Sequence, residues 1–148
     1  MEPMSSQSTP YAEMGGTAFF ATLVHRFYEG VASDPVLRPM YPDADLAAAE
    51  RRLQLFLEQY WGGPTTYSEE RGHPRLRMRH LPFAIDDDAR DRWLVHMKAG
   101  LGAALDEHGL DPTRQVELWR YLEGAAMAMV NTDSAESRPA LPMNEVQQ

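Results

Sequence analysis

Gly15-Gly16-Thr17-Ala18-Phe19-Phe20-Ala21-Thr22-Leu23-Val24-His25-Arg26-Phe27-Tyr28-Glu29-Gly30-Val31 places apolar side chains at 19, 20, 23, 24, 27, 28 and 31. Steps of three and four put all seven on one face of a helix. The glycine pair opens the segment and Asp34-Pro35 closes it. Three further stripes follow the same rule. Leu46, Ala49, Leu53, Phe56, Leu57, Tyr60 and Trp61 form one, stopped by Gly62-Gly63-Pro64. Trp93, Leu94, Met97, Leu101, Ala104 and Leu105 form another, placed after Asp86-Asp87-Asp88, an acidic run suited to a helix N-terminus. Val116, Trp119, Leu122, Ala126, Met129 and Val130 form the last, entered at Asp111-Pro112. No run alternates with period two. The fold class is all-α.

Outside these stripes the pattern weakens. Residues 1–10 and 132–148 are polar and proline-bearing, so both ends are expected to be disordered extensions around a domain at 11–131. Pro64 to Gly72 reads as a polar loop. After it, Pro74 and Pro82 bracket room for a helix of about two turns ending at His80. A short helix after a long loop stabilises little, and function is expected there.

Composition narrows the function classes. The 148 residues suit one domain with an ordinary core. Fourteen Lys and Arg against 22 Asp and Glu give a net charge of -8, which disfavours nucleic acid and anionic membrane surfaces as partners. With no cysteine there is no disulfide, zinc–thiolate site, iron–sulfur cluster, thiol nucleophile or covalent C-x-x-C-H haem attachment. The first ten residues lack the basic start and apolar core of a signal peptide, and no run is long enough to span a membrane. A cytoplasmic location is expected.

Few residues stand out chemically. Phosphate-binding glycine loops, G-x-S-x-G, H-E-x-x-H and EF-hand loops are missing. Glu50, Glu58, Glu69 and Glu70 read as surface. His80, flanked by Met78, Leu81 and Phe83, fits either a core histidine satisfied by a carbonyl or, in a chain without cysteine, a single iron ligand. Arg71, Arg75, Arg77 and Arg79 crowd around it, as a solvated face or beside an anionic ligand. Tyr28 and Trp93 lie on apolar stripes, where most aromatics are simply core. A buried phenol or indole N–H still needs a partner, and a bound diatomic ligand with partial negative charge would serve. Tyr41 offers a third donor.

The runs Tyr41-Pro42-x-x-Asp45-Leu46-Ala47, Arg52-Leu53-x-x-Phe56-Leu57-Glu58-Gln59-Tyr60-Trp61-Gly62-Gly63-Pro64, Thr66-Tyr67-Ser68-Glu69 and Gly72-His73-Pro74-Arg75-Leu76-Arg77-Met78-Arg79-His80-x-Pro82-Phe83 resemble group II truncated haemoglobins of the actinobacterial type. The resemblance covers about Tyr11 to Asn131. It implies a two-over-two helical sandwich, the truncated globin fold, around non-covalent haem b (iron protoporphyrin IX). By position it makes His80 the proximal iron ligand and Tyr28, Tyr41 and Trp93 the distal donors. Ala49 and Leu53 fall beside the ligand. Phe56, Tyr60, Tyr67, Met78, Arg52, His73 and Arg77 fall against the haem or its propionates. The implied function is reversible binding of O2 and other diatomics (NO, CO) at ferrous iron. The alternative is a redox enzyme, peroxidase-like or nitric-oxide-detoxifying, in which Tyr28 and Trp93 act catalytically and an external reductase supplies electrons. An oligomer is compatible with either. A haem-free helical interaction module is the remaining rival, and visible absorption separates it from both.

Overall fold

The computed structural model describes residues 9–41, 46–72 and 83–132, and among them every regular element is helical. They are α1 (Pro10–Glu13), α2 (Gly16–Ala32), a 3-10 turn (Arg38–Met40), α3 (Ala47–Tyr60), α4 (Thr66–Arg71), α5 (Asp87–His108) and α6 (Pro112–Met129). The four long helices coincide with the four apolar stripes.

Local chemistry sets their ends. Gly15 and Gly16 both adopt positive φ, 107° and 63°, letting α1 turn into α2 without a Cβ clash. Asp86 caps α5 by accepting from the Ala89 N–H at 2.9 Å, with Asp87 and Asp88 in the first turn. Asp111 caps α6 through the Thr113 N–H at 3.0 Å, and Pro112 occupies the first helical position. Behind α3, the Gly63 N–H returns to the Glu58 carbonyl at 2.7 Å.

α2 is the centre of the molecule. All seven of its stripe residues are buried, and it packs most extensively on α5 and next on α3. The α2–α5 crossing is close because it uses glycine on both sides. A Cβ on Gly100 would strike the Leu23 carbonyl, and one on Gly30 would strike the His96 ring. α5 packs on α6, whereas α3 and α6 stand apart and enclose a cavity. Three hydrogen bonds between Asn131 and Phe83 or Ile85 tie the end of α6 to the segment entering α5.

Several expectations are corrected. Pro10, assigned to the extension, is the first residue of α1, and the Thr9 hydroxyl caps it through the Ala12 N–H at 3.1 Å. Pro64 to Gly72 is not all loop, because α4 forms within it. Its stability is tertiary: the Gln59 amide accepts from the Ser68 N–H at 2.9 Å and donates to the Ser68 hydroxyl at 2.6 Å. Arg51 adds a bidentate pair to Glu70. Glu58, read as surface, is buried beneath the Gly62-Gly63 turn and accepts from the Gln54 amide at 2.9 Å. On α6 the buried row is Leu118, Leu122 and Ala126, and Val116 is half exposed. The expectations for the short helix ending at His80 and for both extensions beyond residues 9 and 132 lie outside the described residues.

Candidate haem cavity

α2, the 3-10 turn, α3, α4, α5 and α6 together surround a cavity of about 400 Å3. That is within the usual size of small-molecule and cofactor sites. Its walls are mostly apolar: Leu37, Met40, Ala49, Leu53, Phe56, Leu57, Phe83, Ile85, Ala89, Leu122, Ala125, Ala126 and Met129. Three guanidinium side chains, Arg52, Arg71 and Arg90, also line it.

One end of the cavity is aromatic and polar. Tyr28 projects from α2, Tyr41 follows the 3-10 turn, and Trp93 comes from the second turn of α5. Phe27 holds them as a set, with its ring centroid 4.9 Å from Tyr28 and 5.5 Å from Trp93, both edge to face. Tyr28 and Tyr41 are also edge to face at 5.5 Å. Burial pushes both phenols well above the ordinary value, so both remain protonated donors near neutral pH. The Trp93 indole N–H makes no hydrogen bond among the described residues. A lone donor lining a cavity fits a ligand that can accept.

A buried carboxylate fixes this end to the frame. Asp34, at the corner after α2, accepts from the Val36 and Leu37 N–H groups at 2.8 and 3.0 Å. His96 Nε2 donates to its other oxygen at 2.7 Å, and Arg92 donates to the first oxygen at 3.2 Å. Burial alone would raise the Asp34 carboxyl, but His96, the two backbone donors and Arg92 outweigh it and lower it to about 2. The corner carrying Leu37, Met40 and Tyr41 is thereby locked to the stretch of α5 that carries Trp93.

Of the residues singled out in sequence, Tyr28, Tyr41, Ala49, Arg52, Leu53, Phe56, Tyr67 and Trp93 all line the cavity. Tyr60 does not. It is 55% exposed and lies on the outer side, stacked against Tyr121. His73, Arg77, Met78 and His80 lie outside the described residues. Sequence reasoning missed Leu37, Met40, Ile85, Arg90 and Tyr121. The i, i+4 row Leu118-Leu122-Ala126 was the available signal for the inward face of α6, with Tyr121 and Ala125 flanking it.

The lining fits a haem. Apolar walls suit the macrocycle, guanidinium groups suit its two carboxylates, and the Tyr28–Tyr41–Trp93 end offers donors to a small polar ligand.

Residues 9–131 match the family described as bacterial-like globin. The chain is 45% identical over 133 residues to the group 2 truncated hemoglobin YjbI of Bacillus subtilis, covering 90% of this chain and 96% of the relative. Among solved structures it resembles a thermostable hemoglobin from the actinobacterium Thermobifida fusca, at 59% identity and a TM-score of 0.77 over 84% of this chain and 98% of that one. A truncated oxygen-avid haemoglobin from Bacillus subtilis superposes with a TM-score of 0.73 at 44% identity, over 84% of this chain and 100% of that one. The chain belongs to the bacterial-like globin family, among its group II truncated haemoglobins. Membership implies haem-based binding of O2 and related gases. No helix among the described residues is long and apolar enough to cross a membrane.

Proposed function

We propose that this chain binds O2, NO and CO at the ferrous iron of a non-covalent haem b, with His80 as proximal ligand and Tyr28, Tyr41 and Trp93 as distal donors. When bound, the haem supplies an iron centre that coordinates a diatomic ligand. The chain's own residues do the rest. Leu53, Phe56 and Leu122 exclude water, and Arg52, Arg71 and Arg90, which line the cavity, would face the propionates. Trp93, Tyr28 and Tyr41 donate to the ligand, which strengthens its hold in a dry pocket.

The observation that carries this reading is the Trp93 indole N–H, which lines the cavity without an acceptor among the described residues. The oxygen avidity in the name of the Bacillus subtilis structure is consistent with it. Titration of the apoprotein with haemin, followed by reduction and exposure to CO and O2, tests it directly. Saturation at one haem per chain and a ligand-dependent shift of the Soret band are expected. A chain that takes up no haem refutes the reading.

Redox use of the same cavity, reducing peroxide or oxidising NO with bound O2 and drawing electrons from an external reductase, is the second reading. The Tyr121–Tyr60 ring stack, which runs from the cavity wall to the surface, favours it.

A further inference from the structure

The aromatic residues at the end of α3, Tyr60 and Trp61, are not part of the cavity lining. Tyr60 lies face to face with Tyr121, ring centroids 4.0 Å apart and planes at 29°. Trp61 stands edge to face with both rings, 5.4 Å from Tyr60 and 5.8 Å from Tyr121. Its indole nitrogen is buried and has no hydrogen-bond partner. Tyr121 lines the cavity, whereas Tyr60 is 55% exposed. Two oxidisable rings in van der Waals contact therefore join the cavity wall to solvent. The chain has six tyrosines, and Tyr60 is the one that is exposed.

We propose that Tyr60 is a surface redox site, oxidised through Tyr121 when peroxide reacts in the cavity, and that it is where this protein forms intermolecular dityrosine. The proposal rests on the haem reading of the cavity. Oxidising a phenol removes an electron and, at neutral pH, a proton, so the oxidised state settles where the proton can leave. Burial holds the Tyr28, Tyr41 and Tyr121 phenols in the protonated state. At Tyr60 the proton passes directly to water. The electron moves from Tyr60 to oxidised Tyr121 across the stack, which restores Tyr121. Two oxidised Tyr60 rings from separate molecules then join through the carbons ortho to oxygen. In sum, two tyrosines and one hydrogen peroxide give one dityrosine and two waters, with two electrons and two protons passing to the peroxide.

The experiment treats haem-loaded protein with hydrogen peroxide and follows three readouts: the Soret band, dityrosine fluorescence, and the cross-linked peptides by mass spectrometry. The expected result is a covalent dimer joined through Tyr60. Tyr60→Phe keeps the ring stack and lies outside the cavity, so it should consume peroxide as before while losing the dimer. Tyr121→Phe should lower the Tyr60 cross-link formed per peroxide consumed. Two results would overturn the proposal alone: wild-type protein that consumes peroxide without a Tyr60 link, or Tyr60→Phe protein that dimerises equally well. A chain that binds no haem overturns the functional reading and this proposal together.

Discussion

The rings of Tyr28 and Tyr41 stand nearly perpendicular, 81° apart with centroids at 5.5 Å, and both line the cavity with Trp93. Burial keeps both phenols protonated near neutral pH, so each is a donor. With the Trp93 indole N–H, this end of the cavity carries three donor groups.

Trp93→Phe should therefore speed O2 dissociation from the haem-loaded protein. Losing one donor to a partly charged ligand in a dry site costs about 1–3 kcal/mol, which is roughly a five- to hundred-fold faster off-rate. Tyr28→Phe and Tyr41→Phe should each act too, and the double mutant should depart from the product of the singles because the two rings are in contact. Laser photolysis or stopped-flow kinetics measures all of these. An off-rate for Trp93→Phe within about two-fold of wild type, at most about 0.4 kcal/mol, would return Trp93 to an ordinary packing role.

His80→Ala should abolish stoichiometric haem retention, because the chain has no cysteine to take over the iron. Haem content after gel filtration and the ferrous spectrum report the outcome. Retention of a normal spectrum would transfer the ligand role elsewhere, with His73 the first residue to test.

Gly100→Ala should destabilise the apoprotein and the haem-loaded protein alike. The new methyl would meet the Leu23 carbonyl, with the Phe27 nitrogen close behind, and backbone atoms cannot swing aside as a side chain can. Overpacking of this kind costs about 1–3 kcal/mol. Gly102→Ala, three-quarters of the way through the same helix with open space around its Cβ position, is the matched control and should be neutral or mildly stabilising. Urea unfolding of the two variants gives the comparison, and equal midpoints would contradict the close-crossing account.

Asp34 carries a pH dependence whose sign follows from its lowered carboxyl. In the fold it titrates at about 2, against 3.8 for the free side chain. The unfolded chain therefore takes up the proton first as pH falls, and the carboxylate's contribution is full only above about pH 4. It amounts to about 2 kcal/mol and fades between pH 4 and pH 2. The stability gap between wild type and Asp34→Asn should accordingly narrow from pH 6 to pH 3, by about 1 kcal/mol. Denaturant unfolding at the two pH values checks this, and a gap independent of pH would remove the ionised Asp34 from the account.

The long helices were legible because each carries its own signal. Phe19 to Val31 repeats at helical spacing, and Asp86 and Asp111 cap helices by bonding to N–H groups two or three residues ahead. α4 was not legible, because its anchor is Gln59, nine residues from Ser68 and on another helix. The same contrast governs the cavity. Tyr28, Ala49, Leu53 and Phe56 could be assigned from helix phase and from resemblance. Tyr60 follows the same phase and yet faces outward, because the stripe has rotated away from the cavity by the last turn of α3, where Tyr121 takes up its ring.

By itself, the sequence determined what depends on near neighbours along the chain: the all-α class, the four long helices, their caps, and the absence of any thiol chemistry. Helix periodicity and capping act within one or two turns, so one segment suffices to read them. Only the tertiary structure decided which side chains line one cavity, that Asp34 binds His96 and Arg92 some sixty residues away, and that Tyr60 turns from the cavity to the surface. Those outcomes depend on how α2 crosses α5 and how far α3 stands from α6. Such distances are set by packing between segments, which the spacing of residues within one segment does not encode.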